Sequence, residues 1–216
     1  MIKLTHTFGD LWMSSHVLQQ FDLGPLFRML SAIMDDDTEI EVTASKELLL
    51  KSNHAMATSV ENKLSNDFVN VMTQTSANPI CAEILRLPFN WVPPETSKSE
   101  LYREHSHFKA HVELLGPDGL IKSDVVRLGL YGMQPNAEYG IRTHPAEEIY
   151  VMLAGDCLWM RGEGEYTKAT VGERSHHPSY LPHATKTQKM HSCRFMHGLE
   201  IYLLSSIHTK VYQNNG

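Results

Sequence analysis

Two patterns of apolar and polar positions divide the chain. In the first half, Val60, Leu64, Phe68 and Val71 recur at steps of four and three, the one-faced stripe an amphipathic helix needs. A further helix is predicted over GPLFRMLSAIM, residues 24–34, where Pro25 fits the first turn because its missing N–H has no helical partner there. Residues 1–95 therefore read as a helical segment. LPFNWVPPETSKSE, residues 87–100, ends that regime, since three prolines cannot continue a helix and bias their neighbours to extended backbone.

Past residue 105 the texture becomes short β-rich runs separated by Gly, Pro and Asn. DVVRLGLYGM, EIYVMLAG, CLWMRG, TKATVGE, HHPSYLPH and LEIYLLSS follow one another at nearly regular spacing. Strands of that length closed by turn signals predict a sandwich or small barrel over residues 96–216. Helices first and strands afterwards make the whole chain α+β, and mainly β.

A chain of 216 residues buries a core without covalent staples. Its net charge of -6, with Lys and Arg scattered, gives no electrostatic draw toward nucleic acid or an anionic membrane, so a small-molecule substrate or a protein is the expected partner. Cys81, Cys157 and Cys193 are odd in number and form no CxxC pair, which argues against a disulfide framework or a zinc ribbon and fits a reducing cytoplasm. Cys157 and Cys193 sit in apolar surroundings and read as inert thiols. MIKLTHTFGDLWMSSHV lacks the apolar core of a secretory signal, and no apolar run approaches the ~18 residues of a membrane span. Asp35, Asp36 and Asp37 read as a solvated turn.

Candidate chemistry gathers between residues 139 and 183. His144 and Glu148 lie four apart, so a strand would point both to one face, together with Tyr150. His183 follows Pro182 in a second strand-and-turn segment. Two neutral imidazoles and a carboxylate hold a divalent transition metal while leaving positions open, which is a catalytic rather than a closed structural arrangement. His176 and His177 precede Pro178, so one points inward, where it can support a ligand or stand in for one. Packing or surface exposure is their simpler role, and His105, His107 and His111 read as a solvated edge.

HxxxExYxxxxG, residues 144–155, and GExxxHPxxxPH, residues 172–183, resemble the two halves of the cupin motif. More narrowly, GPDGL, VRLGLYG, HPAEEIYVMLAG, LWMRG and HHPSYLPHATKT together resemble the dimethylsulfoniopropionate lyase family of cupins, over about residues 114 to 204. The resemblance implies a double-stranded β-helix, a jelly-roll-like barrel around one divalent metal (Zn, Fe, Mn, Ni or Co), and a homodimer. It also implies β-elimination of dimethylsulfoniopropionate to dimethyl sulfide and acrylate.

That family's ligands are HxH, then Glu, then a distal His. His144, Glu148 and His183 match the last three, and Arg142 stands where the first His is expected. A guanidinium stays protonated and has no lone pair to give, so Arg142 cannot be a ligand. The site then runs on two His and one Glu, with Tyr150 as a further oxygen donor, or it has lost its metal. Arg142 either points a fork at a substrate carboxylate or turns outward into solvent. Tyr139 and Tyr150 match the family's active-site tyrosines, with Tyr139 as the base and Tyr150 as a ligand or second base. Trp159, Tyr131 and Tyr180 offer aromatic faces to a sulfonium cation. A cupin dioxygenase or isomerase, and a non-catalytic ligand-binding cupin, are the competing readings.

Overall fold

The computed structural model describes residues 17–92, 109–187 and 196–204. The proline-rich boundary after residue 92, His105, His107 and Cys193 lie outside the described residues.

The N-terminal block is helical only in part. Strands β1 (Leu18–Asp22) and β2 (Met56–Val60) pair antiparallel and frame helices α1 (Gly24–Ala32) and α2 (Glu39–Lys51). Pro25 lies in the first turn of α1, as expected. Thr38 caps α2, its Oγ1 accepting from the Glu41 N–H at 3.3 Å. Helices α3 (Asn66–Met72) and α4 (Ile80–Arg86) complete the block.

The stripe from Val60 to Val71 is not one helix, because Val60 ends β2 and only Phe68 and Val71 ride on α3. Asn62 supplies the reason. Its N–H donates to Phe89 O, its O accepts from the Trp91 N–H, and its Nδ2 donates to Trp91 O at 2.6 Å. Those tertiary bonds hold residue 62 extended and override the helical period.

Nine strands follow among the described residues: β3 (Lys109–Gly116), β4 (Ile121–Lys122), β5 (Val126–Met133), β6 (Glu138–Arg142), β7 (Glu148–Arg161), β8 (Thr167–Thr170), β9 (Arg174–His177), β10 (His183–Lys186) and β11 (Met196–Leu203). Their order is β4-β3-β5-β11-β7-β10-β6, with β8 and β9 also paired to β7. EIYVMLAG and CLWMRG, expected as two strands, form the single strand β7. Its first half pairs with β11 and β9, its second with β8 and β10, so the sheet folds over along it into the two layers of a jelly roll.

The fold-over has a local cause. Met152 opposes Gly198 and Ala154 opposes His197, which leaves Leu153 as an extra residue, and Gly155 follows at φ 75. A bulge reverses the inward parity of whatever comes after it. Glu148, Tyr150 and Met152 therefore face inward before it, and Cys157 and Trp159 after it.

Alternation separates two cores. Leu128, Leu130, Ile149 and Val151 face outward onto Leu26, Leu30, Leu48 and Ile84 of the helices in one continuous apolar cluster. Tyr131, Met133, Tyr150, Met152, Cys157 and Trp159 face inward and form the other. Arg174 of β9 fastens the layers: Nε donates to both oxygens of the buried Glu41 carboxylate at 2.9 and 3.2 Å, and an Nη donates to Ile33 O at 2.7 Å. Among the described residues no helix is long and apolar enough to cross a membrane.

Candidate metal centre and its pocket

Glu148 opens β7 on the inward face, and His183 opens β10 directly after Pro182. His144 is not on a strand. It belongs to the loop between β6 and β7, so the shared strand face expected for His144 and Glu148 is replaced by a turn that folds the ring back over the carboxylate. Three bonds hold that loop to β9 and the turn after it. The Tyr180 N–H donates to His144 O at 2.8 Å, Ser179 Oγ to Pro145 O at 2.5 Å, and His176 Nε2 meets Glu147 Oε1 at 2.7 Å.

The ligand atoms of His144, Glu148 and His183 all lie within 4.8 Å of one another. His144 Nδ1 is 3.1 Å from Ala146 O, and His183 Nδ1 is 2.8 Å from Leu181 O. A carbonyl only accepts, so each ring carries its proton on Nδ1 and presents an Nε2 lone pair. Both lone pairs point at one carboxylate oxygen, Glu148 Oε2, at 3.2 Å and 3.6 Å. Neither Glu148 Oε2 nor His183 Nε2 makes a hydrogen bond among the described residues, although both are buried. Converging lone pairs repel unless a cation sits among them, and this donor set of two imidazoles and a carboxylate fits a borderline divalent ion.

Electrostatics separates the two imidazoles. Burial lowers the His144 pKa, but the Glu148 carboxylate, which favours a protonated imidazole able to donate to it, outweighs burial and the net shift is upward. His183 is pushed down to about 4 by burial and by the Arg142 charge, so it stays neutral and able to ligate at neutral pH.

Arg142 is the register partner of His183 across β6 and β10, and it does not turn outward. Its guanidinium carbon lies 3.5 Å from the centroid of the Tyr139 ring. Burial works against its charge, yet Tyr150, Tyr139, Tyr131 and Glu148 together raise its pKa. Its neighbours thus place it beside the candidate site, toward the interior.

Tyr139 is half-buried on β6 at the edge of the inner cluster. Tyr150 and Trp159 are fully inside it, 4.7 Å apart by ring centroid, and Tyr131 stands edge-on to Tyr150 at 6.2 Å. Tyr180 departs from expectation. It is exposed at φ 63 in the turn after β9, outside the aromatic cluster, and what it offers the site is the backbone bond to His144.

Two residues stand closer to the site than sequence reasoning placed them. His177, read as a packing or surface histidine, is completely buried opposite Glu148 and stacks face to face on His183 at 4.3 Å. Burial first, then the neighbouring His183 and Arg142 charges, lower its pKa to about 2, so it packs as a neutral ring. Lys109, unassigned by sequence, is buried with Nζ 3.1 Å from the Tyr139 centroid. The signal was the alternation of Lys109, His111 and Glu113 with Ala110, Val112 and Leu114, which places all three polar residues on one strand face. His111 is accordingly half-buried opposite Tyr131 and is no solvated edge.

Residues 89–193 match the family described as dimethylsulfoniopropionate lyase. Dimethylsulfoniopropionate lyase DddQ of Ruegeria pomeroyi is 35% identical over 74 residues, 34% of this chain and 37% of that protein, so the match spans little more than a third of the curated relative. The crystal structure of DMSP lyase DddQ from Ruegeria pomeroyi DSS-3 superposes with a TM-score of 0.53 at 20% identity, covering 83% of this chain and 91% of that one. A structure from the set described as DMSP lyases RdDddP and RnDddQII gives 0.51 at 20% identity over 66% and 74% of the two chains. At that identity the superpositions speak for the fold, and over residues 89–193 the chain is similar in sequence to the dimethylsulfoniopropionate lyase family.

Proposed function

We propose that this protein is a metal-dependent lyase that cleaves dimethylsulfoniopropionate, or a related short carboxylate, into dimethyl sulfide and acrylate. The observation that carries the reading is the convergence of His144 Nε2, His183 Nε2 and Glu148 Oε2 on one buried point, in a chain similar in sequence to this family.

His144, Glu148 and His183 would hold the ion. When bound, a divalent metal supplies Lewis acidity that spreads negative charge developing beside a carboxylate. The α-proton of such a substrate is poorly acidic, because its removal adds a second charge next to the first. Tyr139 is the proposed base. Its ring lies against the positive charges of Lys109 and Arg142, which stabilise the negative charge it carries once its own proton has left. As Tyr139 takes the α-proton, the C–H electron pair becomes the new C=C bond. The C–S bond breaks, and its pair leaves on sulfur as neutral dimethyl sulfide. Tyr150, two residues from Glu148 on the same face, is the proposed oxygen donor or second base.

Tyr131, Tyr150 and Trp159 form an aromatic wall for the sulfonium end, which carries charge but no hydrogen-bond donor. Exclusion of water by that wall favours elimination over exchange of the proton with solvent.

The test is headspace dimethyl sulfide from purified protein, stripped of metal and reloaded separately with Mn, Fe, Co, Ni or Zn. Metal-dependent release that disappears in Glu148→Ala is expected. No release from a protein that binds one of these metals would overturn the lyase reading. Oxygen consumption by the iron-loaded form would then be measured, since two His and one carboxylate also suit iron and oxygen.

A further inference from the structure

Strand β9 brings a third imidazole against the ligand set. Ser175 and His177 alternate with the partly exposed His176, so both point inward, and they lie opposite Tyr150 and Glu148 of β7. The His177 ring is completely buried and nearly parallel to that of His183, 4.3 Å away by centroid with 16° between the planes. Trp159 at 4.8 Å and Tyr150 at 5.5 Å close in on it from the inner cluster. Ser175 Oγ, buried as well, meets His177 Nε2 at 2.8 Å, while Nδ1 makes no hydrogen bond among the described residues. Ser175 thus supplies the polar contact that sets the plane of the ring.

His183 needs such a neighbour. Its Nδ1 bond to Leu181 O fixes which nitrogen faces Glu148, but a ring held at one atom rocks about it, and rocking carries Nε2 off the point it shares with Glu148 Oε2. His144 meets the same ring edge-on, at 4.9 Å and 80°, and rides on a loop. The contact that blocks the face of His183 is His177.

We propose that His177, locked by Ser175, is a positioning residue for the metal ligand His183, a flat stop that keeps Nε2 aimed at the ion. The proposal rests on the metal centre of the lyase reading and deepens it. His177 does not ligate, because an ion in the plane of the His183 ring lies off the plane of a ring stacked upon it. Its effect runs through His183: a ligand whose rotamer is already locked by its surroundings binds without first having to be ordered.

Zinc affinity by competition with a chromogenic chelator, and the electron paramagnetic resonance spectrum with one equivalent of copper(II), test the stop. His177→Leu keeps apolar bulk but has no plane, and it should weaken zinc about tenfold, as for other residues that orient a ligand. His177→Phe, which restores a flat ring, should recover most of that affinity. The copper spectrum should broaden in His177→Leu and in Ser175→Ala, since an unaimed imidazole gives a spread of geometries. In a His183→Ala background His177→Leu should cost no further affinity, whereas a side chain that merely fills the barrel would cost as much as before. Undiminished zinc affinity in a folded His177→Leu, equal losses in the Leu and Phe variants, or the same loss without His183 would each overturn the proposal. Should His177→Leu not fold, Ser175→Ala decides, as it removes a single oxygen: an unbroadened copper spectrum overturns the proposal there. The lyase reading fails by a different sign, absent dimethyl sulfide from a protein whose zinc affinity still depends on His177 through His183.

Discussion

Arg142 and His183 face each other across β6 and β10, which makes the charge at position 142 part of the site even though it ligates nothing. Arg142→His removes a positive charge that lowers the His183 pKa and returns an imidazole lone pair to the place where the family carries one. Competition with a chromogenic chelator should read tighter metal binding, on the order of tenfold or more by comparison with changes beside other metal ligands. Cys81 supplies a pH dependence far from the site. Burial pushes its thiol up to about 12, and Sγ lies 3.6 Å from Leu153 O on β7, a contact in which only the protonated form can donate. The folded state holds that proton more tightly than the unfolded one. Its contribution is therefore complete below pH 9 and is lost as pH rises toward 12, by up to about 1.4 kcal/mol per pH unit. Urea midpoints at pH 8 and pH 10 should fall less steeply in Cys81→Ala than in the wild type. At this scale the grouping of His144, Glu148 and His183 was legible, because the three lie in two strand-and-turn segments that the chain brings together. Lys109 was not, since it reaches Tyr139 only after β3 and β6 have been folded across from each other, and no local spacing encodes that distance.

At the scale of elements, β7 shows both what periodicity reads and where it stops. Alternation put Glu148 and Tyr150 of EIYVMLAG on one face, which they share, but the pattern implied a break before CLWMRG where the chain makes a bulge. One extra residue and a glycine at φ 75 look like a turn to a pattern of period two. Gly155→Ala places a Cβ in the left-handed region and should cost about 1 kcal/mol. A lowered urea midpoint with metal content unchanged is the expected result, because the ligands on both sides of the bulge stay in register. The Arg174 and Glu41 pair was equally invisible, as its partners lie 133 positions apart in sequence. Arg174→Ala leaves a carboxylate buried without its cation, an arrangement that costs about 3 kcal/mol. Arg174→Lys should recover little, since one ammonium cannot serve both Glu41 oxygens and Ile33 O together. In the double variant Arg174→Ala with Glu41→Gln, much of the loss should return, and a double-mutant cycle on urea midpoints measures that coupling.

For the whole molecule, the expected order of helices before strands holds only apart from β1 and β2, which frame α1 and α2, and it misleads as a division of the core. Leu26, Leu30, Leu48 and Ile84 of the helices and Leu128, Leu130, Ile149 and Val151 of the barrel belong to one apolar cluster. The outward face of β5 and β7 is therefore apolar where the helices cover it, with Arg174–Glu41 and Ser123–Glu47 as buried polar contacts to α2. Without α1 to α4 that face would present contiguous aliphatic side chains to water, at roughly 25 cal/mol per Å² of apolar surface. The metal site would suffer with it, because Glu148 sits next to Ile149 and alternates with the covered residues along β7. Unfolding of the full chain should accordingly be one cooperative transition, with far-UV circular dichroism and tryptophan fluorescence coincident in urea. A fragment starting at residue 109 should lack that transition, bind a hydrophobic dye such as ANS, and retain no metal after gel filtration. A fragment that folds cooperatively and holds metal would mean that the inner cluster of Tyr131, Tyr150 and Trp159 suffices for the barrel and that the helices serve another purpose.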